Sequence, residues 1–182
     1  MRISRYQQND AIEFGFYFDK HVVSLESAAT AYCAAIDDAA GSIDITQLGT
    51  ITCMLDLLPP DGEHLASAEA IWQWLCDNPQ EVNTLKTECQ DIQLLVPIPR
   101  PNKLLLLAGN YSAHVQEGGG DPIEREETFP YVFMKPASTT LTNPGTAIQI
   151  ATSSPDNFDW ELELAVVIGR RGKHISEADA LD

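Results

Sequence analysis

The chain has 182 residues, 44% of them apolar, with 27 acidic side chains against 11 basic ones and a formal net charge of −16. That length and apolar content suit one domain, or one with a small appendage, around a real core, while the acidity repels phosphate backbones and anionic bilayer surfaces, so neither nucleic acid nor membrane is an expected partner. No apolar stretch approaches the roughly 20 residues that cross a bilayer, and the opening M-R-I-S-R-Y-Q-Q-N-D carries no apolar signal core, which makes the cytoplasm the expected compartment.

Residues 11–25, A-I-E-F-G-F-Y-F-D-K-H-V-V-S-L, predict two short strands joined at Asp19-Lys20. Ser27 to Ala40 is alanine-rich and predicts a helix that Gly41 closes. The segment from Ile43 to Asp56 fits a short strand or a helix equally. Ser67 to Asp77 predicts a second helix, capped by Ser67, with Glu69 in its first turn and Ile71, Trp74 and Leu75 as its apolar stripe. After Pro79 the helical spacing resumes from Glu81 to Cys89 through Val82, Leu85, Lys86 and Cys89. The alternating prolines of V-P-I-P-R-P, Val96 to Pro101, block both helix and sheet ladder. They divide the chain into a small N-terminal domain, 1–95, and a functional domain, 96–182.

Lys103 to Ala108, K-L-L-L-L-A, has the length and composition of a strand buried on both faces. Gly109-Asn110 then turns the chain. Ser112 is placed to cap a short helix carrying His114 and Glu117, which Gly118-Gly119-Gly120 stops, and the charged stretch Glu124 to Glu127 follows as an exposed loop. Strands are predicted at Tyr131 to Met134, Ala147 to Ile150 and Asp159 to Ile168, the first ending at Lys135-Pro136 and the second following the turn Asn143-Pro144-Gly145. Gly169 to Lys173 is a tight basic turn. Ser176-Glu177-Ala178-Asp179 reads as a capping box opening a helix, yet only three residues follow. A helix announced and cut short leads us to expect a portion of something longer, or a truncated product.

Several residues carry chemistry. In D-W-E-L-E-L-A-V-V-I-G, Asp159 to Gly169, strand alternation projects Glu161 and Glu163 from one face. Two adjacent carboxylates repel unless a positive charge lies between them, and a divalent cation held by oxygen ligands meets that need. The other reading is a solvated face opposite a buried row of Trp160, Leu162, Leu164 and Val166. His114 and Glu117 are helical neighbours at i and i+3. The carboxylate can orient the imidazole and make its other nitrogen a base toward water, or the two can be an incidental surface pair. Lys135 can bind an anionic substrate group or simply end its strand. Cys33, Cys53, Cys76 and Cys89 form no C-x-x-C pair and read as buried thiols rather than zinc ligands. Gly118 to Gly120 lacks the Lys-Ser/Thr of a phosphate loop, and the chain has no G-x-S-x-G elbow.

In order, the P-x-P-x-P lead, K-L-L-L-L-A-G-N-Y-S-A-H-V-Q-E, P-Y-V-F-M-K-P, N-P-G-T-A-I, D-W-E-L-E-L-A-V-V-I-G-R-R-G and I-S-E-A-D-A-L-D resemble the fumarylacetoacetate hydrolase family over residues 97–182. The resemblance implies an α+β fold: a small N-terminal α/β domain, then the first part of a mixed β-roll catalytic domain. It implies a Mg²⁺-, Mn²⁺- or Ca²⁺-dependent hydrolase or lyase cleaving a C–C bond in a small anionic 2-oxo or 1,3-dioxo acid. Decarboxylation, hydration or isomerisation of such an acid is the alternative within the family, and a truncated relict without turnover is the alternative outside catalysis. Carried over, Glu161 and Glu163 match the metal ligands, His114 and Glu117 the water-activating dyad, Tyr111 (with Asn110) the N-Y before the dyad on the substrate side, and Lys135 a pocket-lining lysine. The family's third ligand, an aspartate, would lie beyond Asp182. Family members are often homodimers.

Overall fold

The computed structural model describes residues 1–36, 45–121, 127 and 129–181. The chain divides into two units, Met1–Pro97 with Asn143–Asp182 and Ile98–Thr142.

The first unit is built on a five-stranded antiparallel sheet. Its opening hairpin joins β1 (Ile3–Gln8) to β2 (Ala11–Phe18). Asn9 and Asp10 both hold positive φ, 48° and 65°, as a two-residue turn between right-twisted strands requires, and Asn and Asp tolerate that region best among residues with a side chain. The sequence reading had no strand ahead of residue 11. The second hairpin, β2 to β3 (His21–Ser24), turns at Asp19-Lys20 as expected, with Asp19 at φ 60°.

Ser24 ends β3 and caps α1 (Leu25–Ala35), its Oγ accepting the Ser27 N–H at 3.1 Å. The helix thus starts two residues before the predicted Ser27 and ends at Ala35, where Ile36 turns extended, short of the predicted Ala40; the expected stop at Gly41 lies outside the described residues. Between Ile43 and Asp56 the described residues hold no strand: α2 (Ile45–Gly49) is followed, after a non-helical stretch, by a 3₁₀ turn at Met54–Leu57. The helix α3 spans Leu65–Asp77, one turn ahead of the predicted cap, and buries Ala68, Ile71 and Leu75. Then α4 (Pro79–Leu85) opens on a proline at its first position, where no N–H is needed. It stops short of Cys89: Thr87–Glu88 form β4, which takes up the open edge of β3, and Cys89–Asp91 make a 3₁₀ turn. Edge pairing overrides local helical spacing here. Finally β5 (Gln93–Leu95) pairs with β1, giving the order β4-β3-β2-β1-β5. Every pairing is antiparallel, so this part is α+β and not the α/β expected of it.

Both sheet faces bury side chains. The register puts Phe14, Phe16 and Val23 on one face and Ser4, Tyr6 and Val22 on the other, all buried. On the first face Trp72 of α3 stacks on Phe18 at 4.9 Å and meets Phe16 at 5.8 Å, and Trp74 meets Tyr32 of α1 edge-on at 5.6 Å. On the second, the Tyr6 ring lies over Gly15, where an added Cβ would come within 3.1 Å of it. Tyr6 donates a 2.9 Å hydrogen bond to Glu13. Burial first, and that bond second, push the Tyr6 hydroxyl well above the usual tyrosine range.

The remainder of this unit, residues 143–181, holds no strand among the described residues, which corrects the strands expected at Ala147–Ile150 and Asp159–Ile168. A strand exists through its ladder, and neither segment has a ladder partner among the described residues. Trp160, Leu162, Leu164 and Val166, expected as a buried row, are 77–88% exposed. Ser176 does cap, its Oγ accepting the Asp179 N–H, but over a single 3₁₀ turn, Glu177–Asp179.

The second unit pairs β6 (Leu104–Ala108) antiparallel with β7 (Tyr131–Lys135). Between them lies α5 (Ser112–Glu117), and α6 (Ala137–Thr140) follows. The expectation that β6 is buried on both faces is corrected. Leu104 and Leu106 are half-buried, but Leu105 and Leu107 are exposed, as suits one strand of a two-stranded ribbon.

Candidate active-site residues

Four of the six candidates belong to the second unit. His114 and Glu117 ride on α5, whose first residue is Ser112 and whose N-cap is Tyr111, without a side-chain cap. Ser112 therefore begins the helix and does not cap it. The far end is fixed by the three glycines. Gly120 N–H bonds Val115 C=O at 2.9 Å, Gly119 N–H bonds Gln116 C=O at 3.0 Å, and Gly119 sits at φ +80°. These are the two crossed bonds and the left-handed residue of a Schellman stop. The run G-G-G is thus a helix terminator, and it holds the dyad in the last turn.

There His114 Nδ1 lies 3.8 Å from Glu117 Oε2, with both side chains exposed. That is ion-pair range for a protonated imidazole but too long for a hydrogen bond. Residues at i and i+3 of a helix are neighbours, which suits such a pair. Lys135 is the last residue of β7, opposite Leu104, exposed, and followed by Pro136, which ends the strand. Tyr111 is 38% exposed at the head of α5.

Glu161 and Glu163 belong to the first unit, on the exposed span after Asp159, whose carboxylate accepts the Trp160 N–H at 2.8 Å. Two exposed glutamates offer hard oxygen donors, and that donor chemistry fits a hard divalent cation. Among the described residues no group of three or more His, Cys, Asp or Glu side chains gathers in a way that could hold a metal. The glutamate pair is a partial donor set.

Sequence reasoning missed the contacts that anchor this span. Arg170 grips Asp61 side-on, Nε to Oδ2 at 3.1 Å and Nη2 to Oδ1 at 2.9 Å, across 109 residues. The Arg170 hydrogen bond lowers the Asp61 carboxyl below its ordinary range. At the other end the Asn143 side-chain oxygen accepts the Val96 N–H at 3.0 Å, and Gln93 donates to the Pro144 carbonyl at 2.9 Å. Asn143 had signalled only a turn. Cys33, Cys53, Cys76 and Cys89 are all free, and Cys53 and Cys76 are exposed, against the expectation of buried thiols. No helix among the described residues is long and apolar enough to cross a membrane.

Residues 103–182 match the family described as fumarylacetoacetate (FAA) hydrolase C-terminal. The chain is similar to the mitochondrial oxaloacetate tautomerase fahd2 of Xenopus laevis, 41% identical over 92 residues, which is 50% of this chain and 27% of that protein. It is similar to oxaloacetate tautomerase YisK of Bacillus subtilis, 30% identical over 130 residues, 71% of this chain and 42% of that protein. The mitochondrial oxaloacetate tautomerase FAHD2A of Homo sapiens is 37% identical over 91 residues, 50% of this chain and 27% of that protein. The chain thus spans between 27% and 42% of the length of these relatives. Motif order and family match agree: residues 103–182 match the fumarylacetoacetate hydrolase C-terminal family.

Proposed function

We propose that the chain is part of a divalent-metal-dependent enzyme that interconverts the enol and keto forms of a small 2-oxo acid. The observation that carries this is the His114–Glu117 pair, held in the last turn of α5 by the glycine stop, in a chain whose relatives are named oxaloacetate tautomerases. Tautomerisation moves one proton from the enol oxygen to the neighbouring carbon, or back, and needs no second reactant. His114 Nε2 takes and returns that proton, while Glu117, on the Nδ1 side, steadies the ring and the charge it acquires. Lys135 and Tyr111 bind the substrate's anionic and polar groups. Glu161 and Glu163 hold the cation, Mg²⁺, Mn²⁺ or Ca²⁺. When bound, that cation supplies positive charge against the anionic oxygens of a chelating 2-oxo acid. The small domain at 1–95, the β-roll of a catalytic domain starting at 96, a homodimer and a cytoplasmic compartment complete the proposal. Four unpaired thiols suit a reducing compartment.

A second reading, hydrolysis of a C–C bond in a 1,3-dioxo acid, is favoured by the hydrolase family match. In it the same dyad takes a proton from water, whose oxygen attacks the carbonyl carbon, and the departing carbon receives the proton. Decay of oxaloacetate enol absorbance with Mn²⁺ tests the first reading, and release of two acids from a 1,3-dioxo acid tests the second. Glu161→Ala/Glu163→Ala is expected to abolish Mn²⁺ binding and either activity. Unchanged Mn²⁺ binding removes the metal assignment.

A further inference from the structure

Among the described residues the glutamate span forms no ladder, and both of its ends are fixed to the folded N-terminal part of the same unit. At one end Asn143 and Pro144 bond to Val96 and Gln93, at and just beyond β5. At the other, Gly169 and Arg170 meet the turn Pro59–Asp61. A Cβ on Gly169 would collide with the Pro59 carbonyl oxygen and lie 2.7 Å from Pro60 Cδ, so only glycine permits this approach. The next residue, Arg170, adds the two-point grip on Asp61. The turn that receives them is itself anchored. Met54 and Leu57 are buried beneath it, Gly62 N–H bonds Leu58 C=O at 3.0 Å, and His64 N–H bonds Asp56 C=O at 2.8 Å just before α3.

We propose that the Pro59–Asp61 turn is a positioning element for the glutamate pair, with Asp61 and Arg170 as positioning residues: their grip, seven residues past Glu163, sets where Glu161 and Glu163 stand. This rests on the metal role proposed above. Both partners are exposed, so the pair contributes little to global stability, and its effect falls on the local geometry of the span. The described contacts at both ends of the span come from the N-terminal part of the same unit.

Mn²⁺ affinity of the full chain, measured by titration calorimetry, tests the proposal, with thermal melting as the control for folding. Asp61→Asn and Arg170→Gln are each expected to weaken Mn²⁺ binding by about twofold to fivefold, as suits one exposed pair. The double variant should lose no more than either alone, because one grip is being broken. The exchanged pair Asp61→Arg/Arg170→Asp should recover affinity, which a nonspecific structural loss would not allow. Unchanged affinity in both single variants, or losses that simply add, overturns the positioning role, provided that Glu161→Ala/Glu163→Ala abolishes binding. If that glutamate variant binds Mn²⁺ like the parent, the metal reading fails instead, and this proposal with it.

Discussion

Replacing Tyr6 by phenylalanine removes one buried oxygen and leaves the ring in place. The ring is 1% exposed, and its hydroxyl donates to Glu13 at 2.9 Å. Glu13 is only half-buried, so water can take up its freed lone pair, and the loss is that of one net hydrogen bond, about 1 kcal/mol at neutral pH. The pH dependence is more diagnostic. Burial and the Glu13 bond raise the folded-state pKa of Tyr6. The unfolded chain therefore releases this proton near pH ~10, while the folded protein still holds it. Tyr6 contributes fully below that pH, and stability then falls by about 1.36 kcal/mol per pH unit as the pH rises toward the folded pKa. Tyr6→Phe lacks that slope, so the variant starts less stable, and its curve should meet the parent's within about one pH unit of the onset. Urea melts between neutral pH and pH ~11, followed by tryptophan fluorescence, measure both curves; the other tyrosines titrate in both proteins and cancel. Parallel curves across the alkaline range would refute the burial argument.

Gly15→Ala should cost about 1–3 kcal/mol, because its Cβ would stand 2.7 Å from the Val23 carbonyl oxygen and 3.1 Å from the Tyr6 ring; a urea midpoint equal to the parent's contradicts it. Gly119→Ala places a side chain at φ +80° and should loosen the end of α5 by about 1 kcal/mol, read as faster amide exchange at Gly119 and Gly120 with unchanged global melting. His114→Ala should lower turnover of a 2-oxo acid while leaving Mn²⁺ affinity intact; equal turnover removes the proposed proton carrier.

Legibility in the sequence followed the range of the interaction responsible. The turn at Asp19-Lys20, the helix carrying His114 and Glu117, and its glycine stop are local events, decided within a few residues, and each was readable; the strand Tyr131–Met134 was readable from its composition and found its partner in β6. So was the order of motifs from K-L-L-L-L-A to I-S-E-A-D-A-L-D. The errors came where a distant partner decides. The opening strand was missed because Ile3–Gln8 has little apolar alternation and is stabilised by β2 and β5 on either side. The helix expected to reach Cys89 yields to a strand because the β3 edge recruits Thr87 and Glu88. The strands expected at Ala147–Ile150 and Asp159–Ile168 had the right composition and lack a ladder among the described residues.

By itself, then, the sequence determined the chemistry on offer: two glutamates two residues apart, a histidine and a glutamate on one helical turn, a lysine at a strand end, and the family pattern that links them. Spacing and side-chain type are enough for that, because they belong to the covalent chain. Tertiary structure alone decided which faces are buried, that Tyr6 lies over Gly15, and that Asp61 meets Arg170 across 109 residues. Those facts depend on which distant segments come into contact, and they now make a turn of the N-terminal part the proposed holder of the glutamate pair.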